Sequence, residues 1–283
     1  MKYTLQIFLL ILYINASAQL AMEVYVFDID IKDGIQISNP VNISLNTGKY
    51  DNQPSFRDKN ELYFVSSRNN QTDVILYNTK KNEPQWLTET RGSEYSPTPI
   101  PGENAFSYIL LKTDGEQLLW KYPLKGGEPE ILIPDLKVGY HTWLDEEQLV
   151  VFVLEGEGNN LYLHNTLTRS LIPIAKNIGR SLKIIPETNN LAFVDKSEDQ
   201  WLIKIYDPLS EEITELTETP DGSEDMLWIG NQLVMGKGSK LLKWSKENDK
   251  WELIADLKDH NLGGVTRMSI NNSQNKLAIV VNE

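Results

Sequence analysis

Apolar residues in this chain come in short runs cut by clusters of Asn, Asp, Gly and Lys. The stretch 50–88 shows the pattern most clearly. It holds Leu62-Tyr63-Phe64-Val65, Val74-Ile75-Leu76-Tyr77 and Trp86-Leu87, preceded by the more polar Pro54-Ser55-Phe56. Polar turn segments at 57–60, 68–71 and 78–82 separate the runs. Short β-branched and aromatic runs bounded by such turns predict strands joined by hairpins, here one four-stranded antiparallel unit.

The unit repeats. The apolar start of its second strand, Leu62, recurs as Ala105, Leu149, Leu191, Leu233 and Leu277, at intervals of 42 to 44 residues. Third strands follow at Leu118, Leu161, Leu202 and Leu241, and fourth strands at Ile131, Leu171, Leu216 and Leu253. This spacing is that of a β-propeller blade. The two ends carry half units. Glu23-Val24-Tyr25-Val26-Phe27-Asp28 reads as a third strand and Val41-Asn42-Ile43-Ser44-Leu45 as a fourth, while the tail supplies a first strand near Val265 and a second at Leu277. Together they make a sixth blade, and joining them removes the open sheet edges that an unclosed array would expose. The expectation is an all-β, six-bladed propeller over residues 19–283, closed by N-terminal strands pairing with C-terminal strands.

The 50–88 unit resembles the propeller repeat of TolB-like proteins. The resemblance rests on Pro54-Ser55-Phe56, Phe64, Ser66 and Arg68, Asp73, and Leu87-Thr88, with fragments in other blades such as Pro97-Thr98-Pro99, Leu191-Ala192-Phe193 and Leu216-Thr217. The blades around Trp143 and Trp228 depart furthest from it. The resemblance implies the fold strongly and function weakly, because the repeat serves many roles. TolB itself carries an α/β domain before its propeller. No counterpart is expected here, so a role in Tol complexes is not carried over.

The start of the chain changes the picture of where the propeller works. Met1-Lys2, an apolar run through Ile14, and Ala16-Ser17-Ala18 have the form of a secretory signal peptide over residues 1–18. The expected location is therefore outside the cytoplasm, periplasmic or extracellular. No cysteine is present, which leaves no lipid attachment point and no disulfides. With 40% apolar and 24% charged residues the composition is globular. A net charge of −13 argues against nucleic acid and anionic membrane surfaces as partners, and no segment is long enough to span a bilayer.

Reaction motifs are sparse. The chain has no Gly-x-Ser-x-Gly, no His-Glu-x-x-His and no phosphate-cradling glycine loop. Arg68 with Asp73 reads as a structural pair fastening the second strand of the first unit to its third. Of three histidines, His164 ends a third strand and reads as exposed or half-packed. His141 and His260 lie in equivalent fourth-to-first-strand connections, which ring one channel mouth, so both are expected to approach a shared site. The same connections carry Tyr50, Asp51, Arg91, Glu94, Tyr95, Tyr140, Arg180, Glu224, Asp225 and Arg267. Tyr, Arg and acidic groups converging on a funnel suit a peptide or sugar site.

Three functional expectations follow. The first is a non-enzymatic exported propeller binding a protein, peptide or envelope glycan at that mouth. The second is a carbohydrate- or peptide-cleaving enzyme with carboxylates from Asp51, Glu94, Glu224 and Asp225 paired across the funnel. The third is a calcium ion in the channel. No other cofactor is expected.

Overall fold

In the computed structural model, residues 21–46, 48–156 and 158–282 are described. The expected signal peptide lies outside them. The chain enters through β1 (Met22–Asp30) and β2 (Gln36–Asn42). Blade 1 is β3 (Asp51–Phe56), β4 (Glu61–Arg68), β5 (Gln71–Asn78) and β6 (Glu83–Trp86). Blade 2 is β7 (Ser93–Pro99), β8 (Ala105–Leu111), β9 (Gln117–Pro123) and β10 (Glu130–Ile133). Blade 3 is β11 (Val138–Trp143), β12 (Gln148–Glu155), β13 (Gly158–Asn165) and β14 (Leu171–Ala175). Blade 4 is β15 (Ile178–Ile184), β16 (Leu191–Asp195), β17 (Leu202–Tyr206) and β18 (Ile213–Glu218). Blade 5 is β19 (Met226–Ile229), β20 (Gln232–Lys237), β21 (Lys240–Ser245) and β22 (Lys250–Asp256). The tail adds β23 (Gly264–Ile270) and β24 (Lys276–Asn282).

Blade 6 closes the ring. Its strand order is β2-β1-β24-β23, so the first described strand of the chain lies beside the last. β1 and β24 pair antiparallel from Met22↔Asn282 to Asp28↔Lys276 without a break, and the Asp28 carboxylate accepts from the Lys276 ammonium at the end of the ladder. The sequence places this junction in the same strands.

The hydrophobic core is divided among the six seams between blades. Phe56, Leu62, Phe64 and Ile75 of blade 1 meet Val24, Val26, Ala278 and Val280 of blade 6 on one side. On the other side, Tyr63, Val65 and Val74 meet Phe106, Tyr108 and Leu110 of blade 2. Every blade is covered on both faces, so its second strand must be apolar at consecutive positions rather than alternating. This is why β4 and β12 read as unbroken runs, and why Leu62 to Val65 and Leu149 to Val153 are all buried. The outermost strands face solvent and lose that signature: β6 is Glu-Pro-Gln-Trp and largely exposed. Their predicted positions are accordingly less accurate. Leu87 and Thr88 fall just past β6, and the strand expected at Val41 to Leu45 begins earlier, at Gln36.

Candidate functional site

Each blade presents its first strand (β3, β7, β11, β15, β19 or β23) as the sheet edge facing the axis, with no ladder partner on that side. These six edges bound a central cavity of about 730 Å³. It runs from Tyr140, Arg180, Asp225 and Arg267, where fourth strands connect to first strands, to Arg57, Gly102 and Asn272 in the hairpins at the other face. Gly102 and Asn272 are not buried, so the cavity opens to solvent at the hairpin face. On β7 two of the inward edge positions are Pro97 and Pro99, which lack an N–H and so blunt that edge against further pairing.

The connection end is narrowed by a charged network. Asp225, ahead of β19, accepts from Arg180 Nη2 at 2.8 Å and from Arg267 Nη1 at 3.2 Å. Arg267 Nη2 also donates to the Tyr140 hydroxyl at 3.2 Å, joining blade 6 to blade 3 on the opposite side of the ring. Glu224 stands behind Arg180, accepting from its backbone N–H at 3.1 Å and pairing with its guanidinium at 3.1 Å. Burial pushes the Asp225 carboxyl up, against the opposing pull of Arg267 and Arg180. Tyr50 is held nearby. Burial drives its phenol up to about 12, and the charges of Arg267, Tyr140 and Tyr95 all reach it. The mouth itself sets Tyr140 of blade 3 against Arg180, Asp225 and Arg267 of blades 4 to 6, while Tyr50 and Tyr95 line a separate pocket of about 470 Å³.

Several sequence-predicted residues are not part of this mouth. Glu94 is fully buried in the seam between blades 1 and 2, where its carboxylate accepts from the hydroxyls of Thr88 and Thr90 and from Val74 N. Burial raises its pKa to about 7. Asp51 has the matching role at the preceding seam, buried and accepting from Leu45 N and Asn46 N. Both carboxylates fasten a connection to the start of a first strand instead of facing the channel. Arg91 is exposed and outside the cavity lining. His260 sits in a short 3-10 turn, Leu257–His260, and packs edge-on against Phe27 with ring centroids 5.6 Å apart. Leu257 is buried in the seam between blades 5 and 6, which draws the turn away from the axis.

His141 touches the cavity wall, but its ring is committed inward. Its Nε2 lies 2.6 Å from Ser107 Oγ, a hydroxyl that accepts from Trp143 Nε1 at 2.9 Å and lies 3.2 Å from Thr98 O. Burial drives the His141 pKa down to about 3, so the ring is neutral. His141 and His260 thus do not share a site. His164 is also buried, contrary to the sequence reading. Arg68 pairs with Asp73 at 2.6 Å and donates to Thr88 O, tying β4 and β5 of blade 1 to the connection after β6, as the sequence indicates for the pair.

Of the four acids considered for glycoside cleavage, only Asp225 lines the cavity, and two arginines already hold it. Among the described residues no group of three His, Cys, Asp or Glu side chains is placed to hold a metal ion. No helix among them is long and apolar enough to cross a membrane.

Sequence reasoning missed Lys183. It lies on β15, lines the cavity, and donates from Nζ to Met268 O at 3.2 Å. Burial lowers its pKa to about 8, with Asp225 opposing that shift and Arg267 adding to it. The available signal was a single lysine inside the apolar run Leu182 to Ile185 of a first strand.

No protein-family model matches the chain, and no curated protein sequence does. Solved structures do. A protein assigned as a TolB from Agrobacterium tumefaciens superposes with a TM-score of 0.72 at 11% identity, covering 94% of this chain and 99% of that one. TolB from Acinetobacter baumannii gives 0.61 at 12% identity, covering 93% of this chain and 65% of its own. A puromycin-hydrolyzing peptidase of Mycobacterium tuberculosis gives 0.60 at 13% identity over 77% of this chain, which spans only 39% of the peptidase. The chain has the six-bladed propeller fold found in TolB proteins.

Proposed function

We propose that this protein is an exported, non-enzymatic propeller that binds an extended segment of a protein or peptide in its central channel. The carrying observation is the 730 Å³ channel whose connection end holds Tyr140 of blade 3 against Arg180 and Arg267, the two arginines paired through Asp225. Tyr and Arg supply large contact area and directional donors, and they dominate binding hot spots. The inner strand edges other than that of β7 add backbone donors and acceptors that an extended chain can use. The apolar start of the sequence supports export. The acidic surface disfavours nucleic acid.

Affinity capture from envelope extract tests the reading, with wild-type protein run beside Tyr140→Ala and Arg267→Ala. The expected result is a retained protein or peptide whose binding falls at least tenfold in both variants. Retention unaffected by either substitution, or turnover of a peptide or glycan substrate by the purified protein, overturns it.

A further inference from the structure

Among the described residues, Lys183 is the one cation of the channel wall without a carboxylate partner. Arg180 and Arg267 are both tied to Asp225, and Arg57 is paired with Glu61. Lys183 Nζ has the neutral carbonyl of Met268 as its hydrogen-bond partner. A half-buried ammonium with no carboxylate in hydrogen-bond contact, and only the more distant charge of Asp225 to offset it, is stabilised by an incoming anion. It still has partial access to solvent in the cavity, so an incoming group can reach it.

Its surroundings define what that group is attached to. Blade 5 has the shortest first strand, β19, and a tight β19–β20 turn at Gly230. Over that short strand a second pocket of about 210 Å³ opens beside the channel, with Leu227, Trp228 and Pro186 in its wall. Lys183, Ile184 and Ile270 line both spaces, so the lysine stands where they join. A lone ammonium beside a small side pocket with that apolar wall, and with Asn271, Asn272 and Gln274 completing the lining, matches the end of a polypeptide, with a carboxylate and a side chain on one α-carbon.

We infer that the channel captures the C-terminus of its peptide ligand, with the terminal carboxylate on Lys183 and an apolar terminal side chain in the pocket over β19. This rests on the channel being a peptide site.

Two pools of randomised N-acetylated hexapeptides test it, one with free C-terminal carboxylates and one with carboxamides. Each is passed over wild-type protein and over Lys183→Met, which keeps the aliphatic stem and whose folding is checked beforehand by a cooperative melt. The expected outcome is enrichment of free acids ending in apolar residues, binding at least tenfold tighter than their amides. Lys183→Met should abolish that preference while binding the amides as well as the wild type does. Equal binding of acids and amides, or a preference that survives in Lys183→Met, overturns the inference and leaves the channel reading standing if retention is still lost in Arg267→Ala. Failure of both pools to bind wild-type protein removes the channel reading and this one with it. N-acetylleucine binding as tightly as the enriched hexapeptides overturns the peptide as occupant.

Discussion

Arg267 on β23 reaches across the channel axis to the hydroxyl of Tyr140 on β11, at 3.2 Å. These two strands belong to opposite blades, so one side chain bridges the ring at its connection end. The same guanidinium is anchored by Asp225, and its carbon lies 5.7 Å from the centre of the Tyr140 ring.

The bridge and its anchor should differ in energetic weight. Tyr140→Phe removes a partly exposed hydrogen bond and is expected to cost about 1 kcal/mol. Asp225→Asn leaves two half-buried guanidiniums without their shared counter-charge and is expected to cost about 3–5 kcal/mol. Urea denaturation of the two variants measures the difference. Equal losses would mean that Asp225 does not hold the mouth together.

Glu94 should make stability fall as pH rises. Its folded pKa, about 7, lies above the ordinary carboxylate value, so the protonated carboxyl is favoured in the folded state. The folded protein then binds more protons than the unfolded chain between about pH 4.3 and pH 7, and unfolding free energy declines across that window. The decline is on the order of 3 kcal/mol if the carboxyl is fully desolvated. Glu94→Gln should flatten the profile in that window alone. Parallel wild-type and variant profiles from chemical denaturation would contradict the assignment.

Lys183 has the opposite sign. Its folded pKa, about 8, lies below that of an ordinary lysine, so the folded state gives up the proton first. Unfolding free energy should therefore rise with pH between about 8 and 10.4. Lys183→Met should be more stable than wild type at pH 7 by about 1–3 kcal/mol, with the gap closing above pH 8. Thermal melting at pH 7 and pH 10 gives the comparison. A destabilised Lys183→Met at pH 7 would show that the Met268 contact outweighs the burial of charge.

The seams set how much of the fold is legible in the residues. Leu62 to Val65 and Leu149 to Val153 announce second strands because neighbouring blades cover both of their faces. The solvent-facing β2 and β6 carry no such constraint, so their limits differ from those the sequence suggests. The candidate site is partly legible. Tyr140, Arg180, Asp225 and Arg267 recur at matching points of the repeat and do converge. Glu94 and His260 occupy similar points in the sequence but turn into seams, because Thr88 and Val74 capture the one and Phe27 the other. Lys183 is hidden because one polar residue within a strand ordinarily faces solvent.

Close approach of two blades accounts for Gly236. A methyl group there would stand 2.6 Å from Val265 Cγ1, across the seam between blades 5 and 6. Gly236→Ala is expected to cost about 1–3 kcal/mol by overpacking, and adding Val265→Ala to it should recover some of the loss. A double variant no more stable than the sum of the two single losses would show that the contact is not the cause.

Site-specific photocross-linking tests the channel as the binding site most directly. A photoreactive amino acid at Thr142, on the channel wall, is compared with one at Leu167, on the exposed outer hairpin of the same blade. A discrete protein or peptide adduct from position 142 and none from position 167 is the predicted result. Adducts from position 167 alone would place the ligand on the outside of the ring and contradict the account.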